Sequence, residues 1–221
     1  MLNPLLMMIV LSAVFSTFFR FDIPNYPLYI ILGNTLFALM SESTTGAMWS
    51  ILDSSSLIKK VRIEKLIFPI EKVLFQLVNF CISLIAVAIV MIYFKVAPSL
   101  SLLMLPVLLL FVVLFSAGLG LALSALAVFF RDVCHLWSVV ITAWTYATPL
   151  FYPVVVLPDW MMPIMELNPM YHYVSYFRQL LLDGTVPGLQ ENLICLGMAV
   201  VTFAVGLLIF KKSEKKFILY V

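Results

Sequence analysis

Residues 96–130 form a run of 35 positions without a single Asp, Glu, Lys or Arg. Such a run leaves few options, because about 18 or more consecutive apolar residues read as a membrane helix. Five more charge-free stretches occupy residues 1–19, 23–41, 73–94, 133–158 and 192–210. Across the 221 residues, 64% are hydrophobic and 11% charged, against about 25% charged in a soluble domain. The mean hydropathy is +1.13. A water-soluble fold of this size could not cover so much apolar surface with so few charges. Soluble enzymes, nucleic-acid binders and disordered tails are therefore excluded, and the partners to expect are membrane lipids and no nucleic acid.

Length then places the crossings. As one helix the 35-residue run would be about 50 Å long, against about 30 Å of hydrocarbon. Pro98 and Pro106 stand near its start, so its helix is expected at about 102–129. The second stretch continues past Glu42 to about Leu52. The expected fold class is an all-α integral membrane protein with six transmembrane helices, at about 4–19, 28–52, 73–94, 102–129, 133–151 and 191–210. Residues 1–19 carry no basic leader, and no small-residue cleavage site precedes Arg20, so they read as a span rather than a cleaved signal. No repeat, linker or low-complexity tract divides residues 1–221, which read as a single transmembrane domain.

The basic residues give an orientation. Lys59, Lys60, Arg62, Lys65, Lys72, Arg131, Lys211, Lys212, Lys215 and Lys216 fall on one side, which is 10 of the 13 cations. Arg20, Lys95 and Arg178 fall on the other. By the positive-inside rule the first side is cytoplasmic, with both termini inside a multi-pass protein of the plasma or inner membrane. Between spans five and six lie 38 residues, 152–189, too apolar for a solvated loop. Leu157, Trp160, Ile164 and Leu167 recur at helical spacing, as do Tyr173, Phe177 and Leu181. Asn168 before Pro169 reads as an N-cap and first helical residue, and Gly184 suits the end of the second piece. Neither piece is long enough to cross, so a re-entrant helical hairpin at 157–184 is expected in the outer leaflet.

Catalytic and metal signatures are missing. None of the eight glycines precedes a lysine, so no phosphate-cradling P-loop is present. No His-Glu-x-x-His or Gly-x-Ser-x-Gly pattern occurs, His135 and His172 fall on opposite sides, and no catalytic residue, metal or bound cofactor is expected. Cys81, Cys134 and Cys195 read as inert packing residues.

Several polar residues still need a reason. Glu42 is the one carboxylate well inside a span, in the polar turn Ser41-Glu42-Ser43-Thr44-Thr45-Gly46. It reads as the wall of a hydrated pathway or a subunit contact, or equally as a hydrogen-bonded carboxyl locking two helices. Ser116, Gly120 and Ser124 make a small-residue stripe for close helix packing. In the first inner loop Leu57, Ile58, Val61 and Leu66 alternate with Lys59, Lys60, Arg62 and Lys65, the pattern of an amphipathic docking helix. Asp132 is placed to N-cap span five, and its short turn exposes Arg131 and Asp132 to a partner. Tyr26, Tyr29, Tyr93, Tyr152, Tyr171, Tyr173 and Tyr176 cluster on the outer side, as an aromatic belt or as faces that guide a sugar chain.

In order along the chain, these features resemble the permease subunit of type-2 ATP-binding-cassette exporters, most closely the polysaccharide and teichoic-acid export family. The likeness is carried by Asn3-Pro4-Leu5-Leu6-Met7-Met8, Leu57-Ile58-Lys59-Lys60-Val61, Phe68-Pro69 and Ala127-Val128-Phe129-Phe130-Arg131-Asp132-Val133. Thr148-Pro149-Leu150-Phe151-Tyr152-Pro153, Asn168-Pro169-Met170-Tyr171-His172 and Tyr176-Phe177-Arg178 complete it. The resemblance implies two copies of the chain around a channel, a separate ATPase that holds ATP and Mg, and a lipid-linked glycan as substrate. It implies that Leu57, Lys59, Lys60, Val61, Arg62, Arg131 and Asp132 couple to the ATPase. Glu42, Tyr152, Trp160, Asn168, Pro169, Tyr173, Phe177 and Arg178 become channel or gate candidates. Family members carry an amphipathic helix before the first span, whereas here only Met1 and Leu2 precede Asn3. The competing readings are a drug or peptide exporter of the same superfamily, a channel or ion-coupled carrier, and a non-transporting scaffold.

Overall fold

The computed structural model describes residues 25–61, 63–96 and 99–220, with Leu6 and Val10 as isolated positions and Ile218 and Leu219 as backbone only. Apart from Leu6 and Val10, the expected first span lies outside the described residues, as do the Asn3-Pro4 pair and Arg62. Among the described residues every regular element is helical: α1 Tyr26–Asp53, α2 Ser55–Lys60, α3 Ile67–Tyr93, α4 Leu105–Phe129 and α5 Asp132–Ala147. Then follow α6 Met162–Glu166, α7 Pro169–Arg178, α8 Leu189–Ser213 and the short α9 Phe217–Tyr220.

Among the described residues, three helical stretches suit a membrane crossing by length and composition: Ile67–Tyr93, Leu100–Phe129 and Leu189–Lys216. They fall on the expected third, fourth and sixth spans. Helix α1 has 28 residues, but Asn34 and the polar turn around Glu42 dilute its apolar character. Helix α5 has 16 residues, about 24 Å, and falls short of a hydrocarbon core. Its end at Ala147, rather than the expected 151, follows from Pro149, which has no N–H to continue the ladder and disfavours helical backbone in the residue before it.

Other helix ends have local causes. Helix α3 begins six residues earlier than expected because Pro69 is tolerated within its first turn. Its C-terminal end turns on Lys95 with φ 56°, and the Val96 N–H donates to the Met91 carbonyl at 3.0 Å. The expected fourth helix opens with a 3-10 segment, Leu100–Met104, before the α-helix proper starts at Leu105 with Pro106 in its first turn. Asp132 is the first residue of α5 rather than its N-cap, so its carboxylate still sits at the positive end of the helix.

The chain divides into two compact units. One comprises the described residues through Ala38, together with Asn79–Leu109 and Trp144–Cys195. Its core holds Leu28, Ile30, Ile31, Leu32, Leu36, Tyr173, Tyr176 and Phe177, all essentially inaccessible. The other comprises Leu39–Val78, Leu110–Ala143 and the chain from Leu196 onward. Its core gathers Ile51, Ile58, Leu121, Ala125, Val128, Phe210 and Phe217. In that unit a Cβ on Gly206 would fall on the Gly118 carbonyl, and one on Gly118 would lie 2.5 Å from the Thr202–Phe203 backbone. Backbone meets backbone there, the close approach that small residues permit between membrane helices.

Candidate functional site

The expected hairpin segment is built mainly of short pieces. Two 3-10 turns, Val154–Val156 and Asp159–Met161, precede α6, so the expected first helix is much reduced. The inward residue of α6 is Met165, 2% exposed, whereas Trp160, Ile164 and Leu167 stand outward. Helix α7 is the reverse: Met170, Tyr173, Val174, Tyr176 and Phe177 are all buried. A π turn, Gln179–Asp183, extends it, and Gly184 closes it in the left-handed region at φ 63°.

Asn168 starts α7 as the sequence predicts. Its Oδ1 accepts from the Met170 N–H at 3.0 Å and from Trp144 Nε1 at 2.8 Å. Its Nδ2 donates to the buried Thr148 Oγ1 at 3.0 Å. One side chain therefore caps α7 and ties it to the end of α5. Along α7 the Tyr173 hydroxyl donates to the Cys195 carbonyl at 3.1 Å, and the Tyr176 hydroxyl to Asn192 Oδ1 at 2.8 Å. Burial raises both phenol pKa values, so both stay protonated donors. Phe177 packs on Phe80 with ring centroids 5.9 Å apart.

Arg178 ends α7 and is 7% exposed. It donates to the carbonyls of Pro149 at 2.8 Å and Leu150 at 2.9 Å, and to that of Tyr29 at 3.2 and 3.3 Å. Its Cζ lies 3.4 Å from the Tyr29 ring centroid. Burial lowers its pKa to about 10, partly offset by the neighbouring tyrosines, which leaves it a cation at neutral pH. Tyr152 is half-buried; its hydroxyl donates to the Tyr146 carbonyl at 2.9 Å, and its own carbonyl accepts from Tyr29 at 3.1 Å. Most of the outer candidates therefore share one unit, while Glu42 is an exposed residue of the other.

The coupling candidates fall in the second unit. Helix α2 is only six residues long because Val61 is extended, so the expected longer amphipathic helix is cut short. Ile58 is buried in the unit's core, while Leu57, Lys59, Lys60 and Val61 stay exposed. Lys65 does not face freely outward: its Nζ donates to the Glu214 carbonyl at 2.6 Å and sits 5.7 Å from the Phe217 ring centroid. A cavity of about 370 Å³ lined by Trp49, Leu52, Asp53, Ser55, Arg131 and His135 brings Arg131 beside the start of α2. Asp132 is exposed next to it. In the packing stripe Ser116 and Ser124 are fully buried, and a Cβ on Gly120 would lie 2.7 Å from that of Ala47.

Sequence reasoning missed Thr148, Trp144 and Asn192 as partners, and Gly33 and Gly206 as contact points. Isolated glycines inside helical patterns were the available signal, since they mark close approaches. Of the cysteines, Cys134 and Cys195 are buried and Cys81 is exposed.

Long apolar helices, three of them suited by length and composition to a membrane crossing among the described residues, make this a multi-pass helical membrane protein. The profile of the ABC-2 type transporter family matches residues 1–182, and the chain belongs to that family. It is 28% identical over 218 residues to the O-antigen export system permease protein RfbA of Myxococcus xanthus, covering 98% of this chain and 84% of that protein. A Klebsiella pneumoniae protein of the same name is 27% identical over 216 residues, covering 97% and 83%. A second from Klebsiella pneumoniae is 26% identical with the same coverage.

Proposed function

We propose that the chain is the membrane-spanning permease subunit of an ATP-driven exporter that moves a lipid-linked cell-envelope polysaccharide. The observation that carries this reading is the match to O-antigen export permeases over 97–98% of the chain. ATP and Mg belong to a separate ATPase chain, and this chain supplies the path. Six spans, with both termini cytoplasmic, form one subunit, and two copies enclose the channel. The exposed apolar faces of α3 and α8, with Phe75, Val78, Ile85, Val200, Val201 and Leu208 outward, supply surface for lipid or for the second copy.

In this reading the ATPase docks on Leu57, Lys59, Lys60, Val61 and Arg62 with Arg131 and Asp132. It is supported by the exposure of the described members of that set and by the shared cavity at Ser55 and Arg131. The outer gate is the segment from Tyr152 to Arg178, entering the outer leaflet as a re-entrant hairpin. The outward apolar row of Val155, Trp160, Ile164 and Leu167 supports immersion in lipid. Glu42, exposed on α1, is a candidate for the channel wall.

Purification of the chain from native membranes in mild detergent tests the reading. An ATP-binding-cassette ATPase is expected in a roughly equimolar ratio, and deletion of the permease should leave the surface polysaccharide trapped inside the cell. A preparation without an ATPase, or a deletion strain with normal surface glycan, would overturn it.

A further inference from the structure

Arg178 is a buried cation without an anion: among the described residues no carboxylate lies within ion-pair distance. A guanidinium kept out of water needs other oxygen acceptors. It finds three carbonyls on two segments. Those of Pro149 and Leu150 lie just beyond the end of α5, and that of Tyr29 lies in the first turns of α1. In a regular helix the Tyr29 carbonyl already faces the N–H of Gly33, one turn on, and side chains of that next turn tilt back toward it. Gly33 leaves the approach open. A Cβ there would stand 2.6 Å from Arg178 Nη2 and 3.4 Å from Cζ. The arginine and the glycine thus fit each other as a pair, 145 residues apart.

We infer that Arg178 is a positioning residue, latched by its guanidinium to the carbonyls of Tyr29, Pro149 and Leu150 in space that Gly33 keeps open, so that α7, the first turns of α1 and the exit of α5 are one body. In the export cycle α7 then moves together with the first turns of α1 rather than as a free flap. That last step rests on the permease reading; the latch does not.

Two native cysteines provide the test in the detergent-purified full chain. Cys195 is 1% exposed, on the turn of α8 whose carbonyl takes the Tyr173 hydroxyl of α7, and Cys134, 5% exposed in the other unit, is the internal standard. Alkylation by N-ethylmaleimide is followed by peptide mass spectrometry. Gly33→Ala and Arg178→Gln should each speed labelling of Cys195 by about tenfold, with Cys134 unchanged. Arg178→Lys, which keeps the charge but cannot span both segments, should fall between them and the parent. In the Arg178→Gln background, Gly33→Ala should add less than about twofold. Unchanged labelling of Cys195, independent effects of the two substitutions, or an equal rise at Cys134 would each overturn the latch. The measurement uses neither ATPase nor glycan, so its failure is distinct from failure of the permease reading.

Discussion

Asn168 makes three hydrogen bonds with one amide, to the buried Thr148 and Met170 and the half-buried Trp144. Replacing it with Ala removes a helix cap and strands the buried Thr148 hydroxyl, at a cost of about 3 kcal/mol. Thermal unfolding in detergent should show this, and Asn168→Asp, which keeps the acceptor for Met170 and Trp144, should lose less. The glycines of α8 offer a contrast at the same scale. Gly206→Ala would place a methyl group on the Gly118 carbonyl, whereas nothing lies within 4 Å of a Cβ on Gly197. The first should abolish the monodisperse peak in size-exclusion chromatography. Gly197→Ala should leave it intact and raise stability by about 0.5–1 kcal/mol, since Ala is the better helix former. Asn168 announced itself through the following Pro169, a local signal. Gly206 is the middle of an ordinary apolar helix, and its contact partner lies 88 positions away.

The elements follow local chemistry where proline, glycine and capping residues punctuate the chain, and depart from it where packing intervenes. The end of α7 at a left-handed Gly184 was legible because only a residue without Cβ turns there freely. The π turn before it was not, because an i→i+5 bond leaves no compositional mark. In α2 the alternation of apolar and basic residues suggested one outward apolar face. The core of the unit takes Ile58 and leaves Leu57 exposed, so two adjacent apolar residues have opposite environments. Substitutions should separate them. Lys59→Glu with Lys60→Glu should weaken ATPase capture in a pull-down and preserve membrane insertion. Ile58→Asp should lose insertion and folding together, because it drives an unpaired carboxylate into an apolar core. Equal capture by the charge-reversed and parent chains would leave α2 with a topological role alone.

At the scale of the whole molecule, the sparse charges define the topology to be tested. In a cysteine-free background, single cysteines at Lys59 and Lys216 should react with a membrane-impermeant maleimide only in inside-out vesicles. Cysteines at Lys95 and Asp159 should react only in right-side-out vesicles. Reaction of Lys59 and Lys216 from opposite sides would break the even-span topology. What the sequence determined by itself is the solvent, most of the long helices, many of their ends and the family, because these depend on composition, length and neighbours within a few residues. Only the tertiary structure decided which polar groups are buried and what receives them. Tyr26 meets Phe151 across 125 positions and Arg178 meets Tyr29 across 149. No periodicity spans such intervals, and charge counting, which put Arg178 on the outer side of the membrane, carries no sign that its guanidinium is buried against backbone carbonyls.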